Sequence, residues 1–178
     1  MWKENLYSTP WPHLVIDNFF HNESWEYVKN KEGLFKKYKQ SAQKKNHGVS
    51  FSFIQDEYLI EYFSQKLSIE YLCSKFPVHR DFSHLDPSLS FKVSRIPRAS
   101  SIHDEVSDKV FSVIVFVEPE HNIGTVLFDK DKNFNKVVTW KPNRAVVFAP
   151  IDNTTWHAFG NWERSDRYTI DFFWLREI

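Results

Sequence analysis

His103 and Glu105 stand two residues apart in the segment SIHDEVSDK. In an extended chain side chains alternate between faces, so positions i and i+2 project together and Asp104, between them, points the other way. An imidazole and a carboxylate on one face, joined by a second imidazole from another strand, form a facial triad that leaves open positions on a non-haem Fe(II). His157, in NTTWHAF, is the candidate for that second imidazole. An isolated H-x-E pair carries little weight, and its context supplies the rest. Ten residues beyond His157 lies Arg167, with Thr169 two further on and on the same face of an extended run. An inward guanidinium offers two-pronged pairing to a carboxylate, and a neighbouring hydroxyl adds a third hydrogen bond. Together they make a seat for a dicarboxylic acid. Arg167 alone would be read as a salt-bridge partner of Asp171 or another buried acid; in register with His103, Glu105 and His157 the ligand seat is the better account.

These residues need strands to carry them. From Ser88 onward the chain breaks into short β-rich runs separated by turn residues, the texture of a sandwich or barrel rather than a parallel α/β sheet. Eight runs are expected: 88–96, 99–105, 109–118, 124–129, 135–141, 144–149, 154–159 and 167–175. Eight antiparallel strands in two facing sheets make a jelly roll. In the last run Tyr168, Ile170, Phe172 and Trp174 share one face, suited to helix packing, while Arg167, Thr169 and Asp171 share the other. Upstream, HLVIDNFF (13–20) predicts a strand. Asn22 is placed to cap a helix starting at Glu23, with Trp25 and Val28 on one side. A second helix is expected over 56–75, with Leu59, Tyr62, Phe63 and Leu67 at helical spacing. The two helices would cover the outside of one sheet. The expected organisation is one domain, with residues 1–87 supplying an N-terminal strand and supporting helices and residues 88–178 a jelly-roll core.

Composition narrows the function classes. The 178 residues are 42% hydrophobic, with 17 Phe, 7 Trp and 7 Tyr, enough to fill one core. Lys and Arg total 23 and Asp and Glu total 23, so net charge gives no argument for a nucleic-acid partner or an anionic membrane. The basic stretch KKYKQSAQKKNHG (36–48) reads as a solvated loop. Cys73 is the single cysteine, reads as a helix residue packed against apolar neighbours, and implies a reducing, cytoplasmic compartment. The opening MWKENLYSTPWPHLV lacks the apolar core of a signal peptide, and no run of apolar residues is long enough to span a bilayer. His13, His21, His47, His79, His84 and His121 have no second ligand at matching spacing. Trp156 and Trp162 flank His157 and either line a cleft or pack a barrel end. A nucleophile elbow, a P-loop and a C-x-x-C pair are all absent from the sequence.

The passages IHDEVSDKVFSVIVFVEPEHNIGTVLFD and NRAVVFAPIDNTTWHAFGNWERSDRYTIDFFW, with the opening PWPHLVIDNFF, resemble the iron(II)- and 2-oxoglutarate-dependent oxygenases, in particular the prolyl 4-hydroxylase-like branch. The resemblance spans most of the chain and implies a double-stranded β-helix (jelly-roll, cupin-like) fold, mainly β with flanking helices. It also implies that His103, Glu105 and His157 bind iron and that Arg167, with Thr169 beside it, binds the far carboxylate of 2-oxoglutarate. Three positions depart from the pattern. Glu105 stands where Asp is commoner, and Ile96 and Arg98 replace a frequent Tyr and a usual Gly, which leaves the second anchor of the co-substrate unassigned. Arg95 and Arg98 fall near the expected barrel mouth, as solvated residues or as contacts for an acidic substrate.

The implied activity is hydroxylation of a peptidyl or small-molecule substrate with O₂, releasing succinate and CO₂. Two alternatives use the same barrel: a cupin-like metal enzyme that does not take 2-oxoglutarate, and a jelly-roll binding module without catalysis.

Overall fold

The computed structural model describes residues 2–30, 49–94, 98–161 and 166–177. Its elements in chain order are β1 (Lys3–Tyr7), β2 (His13–Asp17), α1 (Asn22–Asn30), β3 (Val49–Phe53), α2 (Glu57–Lys66), α3 (Ile69–Lys75), β4 (Asp86–Ser94), β5 (Arg98–Ala99), β6 (Lys109–Glu118), β7 (Thr125–Phe128), β8 (Phe134–Val138), β9 (Arg144–Phe148), β10 (His157–Asn161) and β11 (Arg167–Leu175).

The strands form a seven-stranded sheet in the order β1-β2-β9-β6-β11-β4-β3 and a four-stranded sheet in the order β5-β10-β7-β8. Every strand pairing in both is antiparallel. Four strands of the first (β9, β6, β11, β4) and all of the second are the eight strands of a jelly roll, which β1 and β2 widen at one edge and β3 at the other.

Period-two patterning sorts the side chains of the large sheet into two environments. Phe111, Val113, Val115 and Val117 of β6, Ile170, Phe172 and Trp174 of β11, and Leu89, Phe91 and Val93 of β4 face outward into a core closed by the helices. Phe63 of α2 lies flat on Phe172, with ring centroids 4.8 Å apart, and Trp174 Nε1 donates to Leu67 O at 3.0 Å. Facing inward between the sheets are Ile114, Phe116, Val146 and Phe148, packed with Trp11, Leu127 and Trp140. At the start of β7 the backbones of the small sheet approach so closely that a Cβ on Gly124 would collide with Val138 O.

The structure departs from the sequence reading at several points. The strand expected over 99–105 is reduced to β5 and a single bridge at His103. The helix expected over 56–75 is two helices. Leu67 leaves helical geometry (φ −124°, ψ 56°) and Ser68 caps the second, its Oγ accepting from Tyr71 N at 3.2 Å. The run 154–159 becomes a strand only from His157, because Thr154 N and Thr155 N both bond to Ile151 O in a turn. β1 and β3 were not anticipated: every residue of β1 is exposed, so it carries no alternation to read. Cys73 is exposed on α3 rather than packed. No helix among the described residues is long and apolar enough to cross a membrane. The basic stretch 36–48, His47, Arg95, Ile96, Trp162 and the side chain of Arg98 lie outside the described residues.

Candidate functional site

His103 and His157 are held opposite each other by the backbone. His103 N donates to His157 O and His157 N to His103 O, each at 3.0 Å, in an antiparallel bridge. On its other side His157 is in register with Leu127 of β7. The two imidazoles therefore come together, with ring centroids 4.4 Å apart. Each Nδ1 sits against the carbonyl two residues earlier, His103 on Ser101 O at 2.8 Å and His157 on Thr155 O at 2.9 Å. A carbonyl accepts only, so both Nδ1 atoms carry the proton; in a neutral ring this leaves the lone pair on Nε2, the tautomer a metal-binding histidine needs. Burial pushes the His157 imidazole down to about 4, against the pull of Glu105, so it is neutral at physiological pH.

Glu105 is buried beside them, Oε1 standing 3.8 Å from His157 Nε2. Its other oxygen, Oε2, accepts from Lys109 Nζ at 2.5 Å. Burial alone would raise this carboxyl; the His157 and Lys109 charges and the Lys109 hydrogen bond outweigh it and hold it below the usual carboxylate range. Asp104 is committed elsewhere: Oδ1 accepts from Glu105 N and from Thr155 Oγ1, each at 2.8 Å, and Oδ2 accepts from Asn153 N at 2.7 Å. It ties the His103 segment to the turn before His157.

Arg80 had no signature in the sequence. It is buried, and its guanidinium donates to Val106 O at 2.8 Å, to Glu105 O at 3.3 Å, and to Lys109 O and Asp152. It thereby grips the backbone that carries Glu105.

His103, Asp104, Glu105 and His157 line a cavity of about 190 Å³ between the sheets, together with Lys92, Arg167 and Asp171. Arg167 is 1% exposed, its guanidinium carbon 4.9 Å from the Phe159 ring, 5.0 Å from Trp140 and 5.6 Å from Phe116. Its Nε and the Thr169 hydroxyl are both buried without a hydrogen-bond partner. Burial lowers Arg167 to about 10, with Asp171 opposing, so it remains charged at neutral pH. No carboxylate among the described residues lies within ion-pairing distance of Arg167; Asp171 is paired with Lys92 instead, Oδ2 to Nζ at 3.9 Å. The salt-bridge account of Arg167 therefore fails. A buried guanidinium with an orphaned donor, two residues from an orphaned hydroxyl on the same strand, has the chemistry to take a carboxylate. Lys92 was legible but overlooked: with Leu89, Phe91 and Val93 outward, alternation turns it inward. Trp156 does not line the cavity and instead packs under Lys132, Nζ 3.8 Å from the ring.

No family model and no curated protein matches this sequence. Solved structures do match. A viral collagen prolyl hydroxylase from Paramecium bursaria Chlorella virus-1, in its 2-oxoglutarate complex, superposes at TM-score 0.65 with 13% identity, covering 93% of this chain and 96% of its own. This is the prolyl hydroxylase fold. A Pseudomonas putida prolyl-4-hydroxylase superposes at TM-score 0.63, 11% identical over 99% of this chain and 93% of its own. The Trichoplax adhaerens prolyl hydroxylase, in complex with a hypoxia inducible factor oxygen degradation domain peptide fragment, gives TM-score 0.67, 14% identity and coverage of 92% and 83%.

Within this fold the donors lining the cavity suit a divalent cation in type: two imidazoles and one carboxylate. Among the described residues, no group of three or more His, Cys, Asp or Glu side chains is already set to hold a metal ion. What the chain fixes is the backbone bridge between His103 and His157.

Proposed function

We propose that this chain is an Fe(II)- and 2-oxoglutarate-dependent oxygenase that hydroxylates a peptidyl or small-molecule substrate. The observation that carries the reading is one cavity lined by His103, Glu105, His157 and Arg167, with Arg167 Nε and the hydroxyl of Thr169, two residues along the same strand, both buried and unsatisfied. The donor set fits Fe(II), and the inner residues fit a carboxylate.

On this reading His103 and His157 ligate through Nε2, with their Nδ1 protons committed to Ser101 O and Thr155 O, and Glu105 supplies the anionic ligand. Arg167 pairs with the distal carboxylate of 2-oxoglutarate and Thr169 Oγ1 donates to it, so both orphaned groups gain partners. Phe116, Trp140 and Phe159 exclude water around that ion pair and strengthen it. Fe(II) with 2-oxoglutarate supplies the activation of O₂, the keto acid leaving as succinate and CO₂ while one oxygen atom goes to substrate. The cupin-like alternative leaves Arg167 and Thr169 without a purpose.

The test is anaerobic reconstitution with Fe(II) and 2-oxoglutarate, then a panel of peptide and small-molecule substrates, following succinate release on admitting O₂. Substrate-dependent succinate supports the reading. Iron binding with no 2-oxoglutarate binding transfers it to the cupin-like alternative, and binding of neither leaves a jelly-roll binding module.

A further inference from the structure

Glu105 differs from an aspartate by one methylene, which gives its carboxylate the reach to turn both oxygens toward a shared point. In this structure the two oxygens are divided. Oε1 stands 3.8 Å from His157 Nε2, while Oε2 accepts from Lys109 Nζ at 2.5 Å. This is not an exposed pair of the kind that contributes little. The Glu105 side chain is 8% exposed and that of Lys109 19%. The spacing of four residues does not arise from a helix either, since residues 104–106 are irregular and Ser107 and Asp108 turn into β6.

Lys109 is itself fixed from several sides. Its ammonium lies 3.8 Å from the Phe173 ring centroid, its N–H donates to Val106 O at 3.2 Å, and its carbonyl is held by Arg80. It opens β6 opposite Leu175, at a shift of register in the β6–β11 pairing. The ammonium is therefore a placed charge rather than a swinging one.

We propose that Lys109 is a positioning residue that holds Glu105 to ligation through a single oxygen. The inference rests on the oxygenase reading above. An ion carrying two imidazoles and one carboxylate oxygen keeps positions free for a chelating keto acid and for O₂, and a second carboxylate oxygen would take one of them. Lys109 withdraws Oε2 from that competition by binding it, and so offsets the added reach of the longer side chain. Its removal has opposite effects on the two ligands. The metal gains a potential donor atom and loses a neighbouring cation, whereas 2-oxoglutarate loses a coordination position.

The test uses Mn(II) in place of iron, with calorimetric titration of metal and then of 2-oxoglutarate into the wild-type protein, Lys109→Met and Lys109→Arg. Lys109→Met is expected to bind Mn(II) at least as tightly as wild type and 2-oxoglutarate roughly 10- to 100-fold more weakly, the scale on which partners outside the ligand set tune a metal site. Lys109→Arg, which keeps the charged donor, is expected to restore 2-oxoglutarate binding. Unchanged 2-oxoglutarate affinity in Lys109→Met overturns the proposal, and so does parallel loss of both ligands, which marks a structural role. X-ray absorption on the wild-type Mn(II) protein keeps the question decidable if the Met variant does not fold: attachment of the carboxylate through one oxygen is expected, and attachment through both overturns it. Wild-type protein that binds neither ligand brings down the oxygenase reading and this inference with it; wild-type binding with an insensitive Lys109→Met brings down this inference alone.

Discussion

His103 and His157 exchange both backbone hydrogen bonds, at 3.0 Å each, across a bridge formed outside any longer strand pairing of the His103 segment. The spacing of the two imidazoles is thus set by peptide geometry and needs no side-chain contact to maintain it. His103→Ala and His157→Ala are each expected to abolish Mn(II) binding in a protein that still folds, because the bridge survives the loss of either ring. Asp104→Ala should keep Mn(II) stoichiometry while losing about 1–3 kcal/mol of stability, since donors at Thr155 and Asn153 lose their acceptor. Metal titration alongside urea unfolding checks both, and metal loss on Asp104 substitution in a folded protein would reverse the assignment of Glu105.

Arg167 is surrounded by aromatic rings and lies outside ion-pairing distance of every described carboxylate, and on the proposed reading the partner of its guanidinium is the distal carboxylate of 2-oxoglutarate. Arg167→Lys is not conservative here, because a point-charge ammonium cannot reproduce two-pronged pairing with a carboxylate. Loss of one charge-assisted hydrogen bond, about 1.5–3 kcal/mol, should weaken 2-oxoglutarate binding about 10- to 150-fold. Mn(II) affinity should hardly move, as the guanidinium is not a ligand. Anaerobic titration of 2-oxoglutarate into the Mn(II) forms of wild type and variant reads this directly.

Alternation made the fold and half of the candidate site legible. β6 and β11 coincide with the runs expected over 109–118 and 167–175; β6 is apolar on both faces and reads as one continuous run, whereas the two faces of β11 differ in polarity, which pins its register. The side chains of Arg167, Thr169 and Asp171 fall on the inner face for the same reason. The i, i+2 argument for Glu105 over Asp104 assumed a strand, whereas 99–105 is no continuous strand and both carboxylates line the cavity; what distinguishes them is that Asp104 is bonded to the 153–155 turn. Arg80 and Lys109 were not legible. Arg80 lies in an irregular segment with no period to read, and it meets the Glu105 backbone only once residues 25 and 26 positions apart have folded together.

Arg80 is expected to matter to metal binding without touching metal. Its guanidinium satisfies carbonyls of Glu105, Val106 and Lys109 and pairs with Asp152. Arg80→Met removes this donor from the Glu105 and Lys109 carbonyls and from Asp152 and leaves Val106 O with Lys109 N alone, at a cost of about 1–3 kcal/mol for each acceptor that water does not reach. Mn(II) affinity should fall along with stability, and Arg80→Lys should recover only part of either, because one ammonium cannot span the same set. Denaturant unfolding with Mn(II) titration measures both, and full metal affinity in a destabilised Arg80→Met protein would show that the clamp supports the fold alone.

Acid should unfold the metal-free protein through its buried histidines. His13 is fully buried, stacked on Tyr7, with Nδ1 against Trp11 O at 2.8 Å and Nε2 unpartnered. Burial pushes it down to about 4, as it does His157. Both folded values lie below the ordinary value of 6.5, so between the two the unfolded chain binds protons that the folded chain refuses. Stability therefore rises with pH through that window and is lost as pH falls from about 6.5 to about 4, with each histidine contributing on the order of 3 kcal/mol. Above the window neither adds a slope. His13→Gln should make the loss shallower, and saturating Mn(II) should shift it to lower pH, because a metal bound at His157 Nε2 competes with the proton there. Urea unfolding at a series of pH values, with and without Mn(II), reads the slope; a flat profile across the window in the metal-free protein would mean that these rings are protonated without opening the fold.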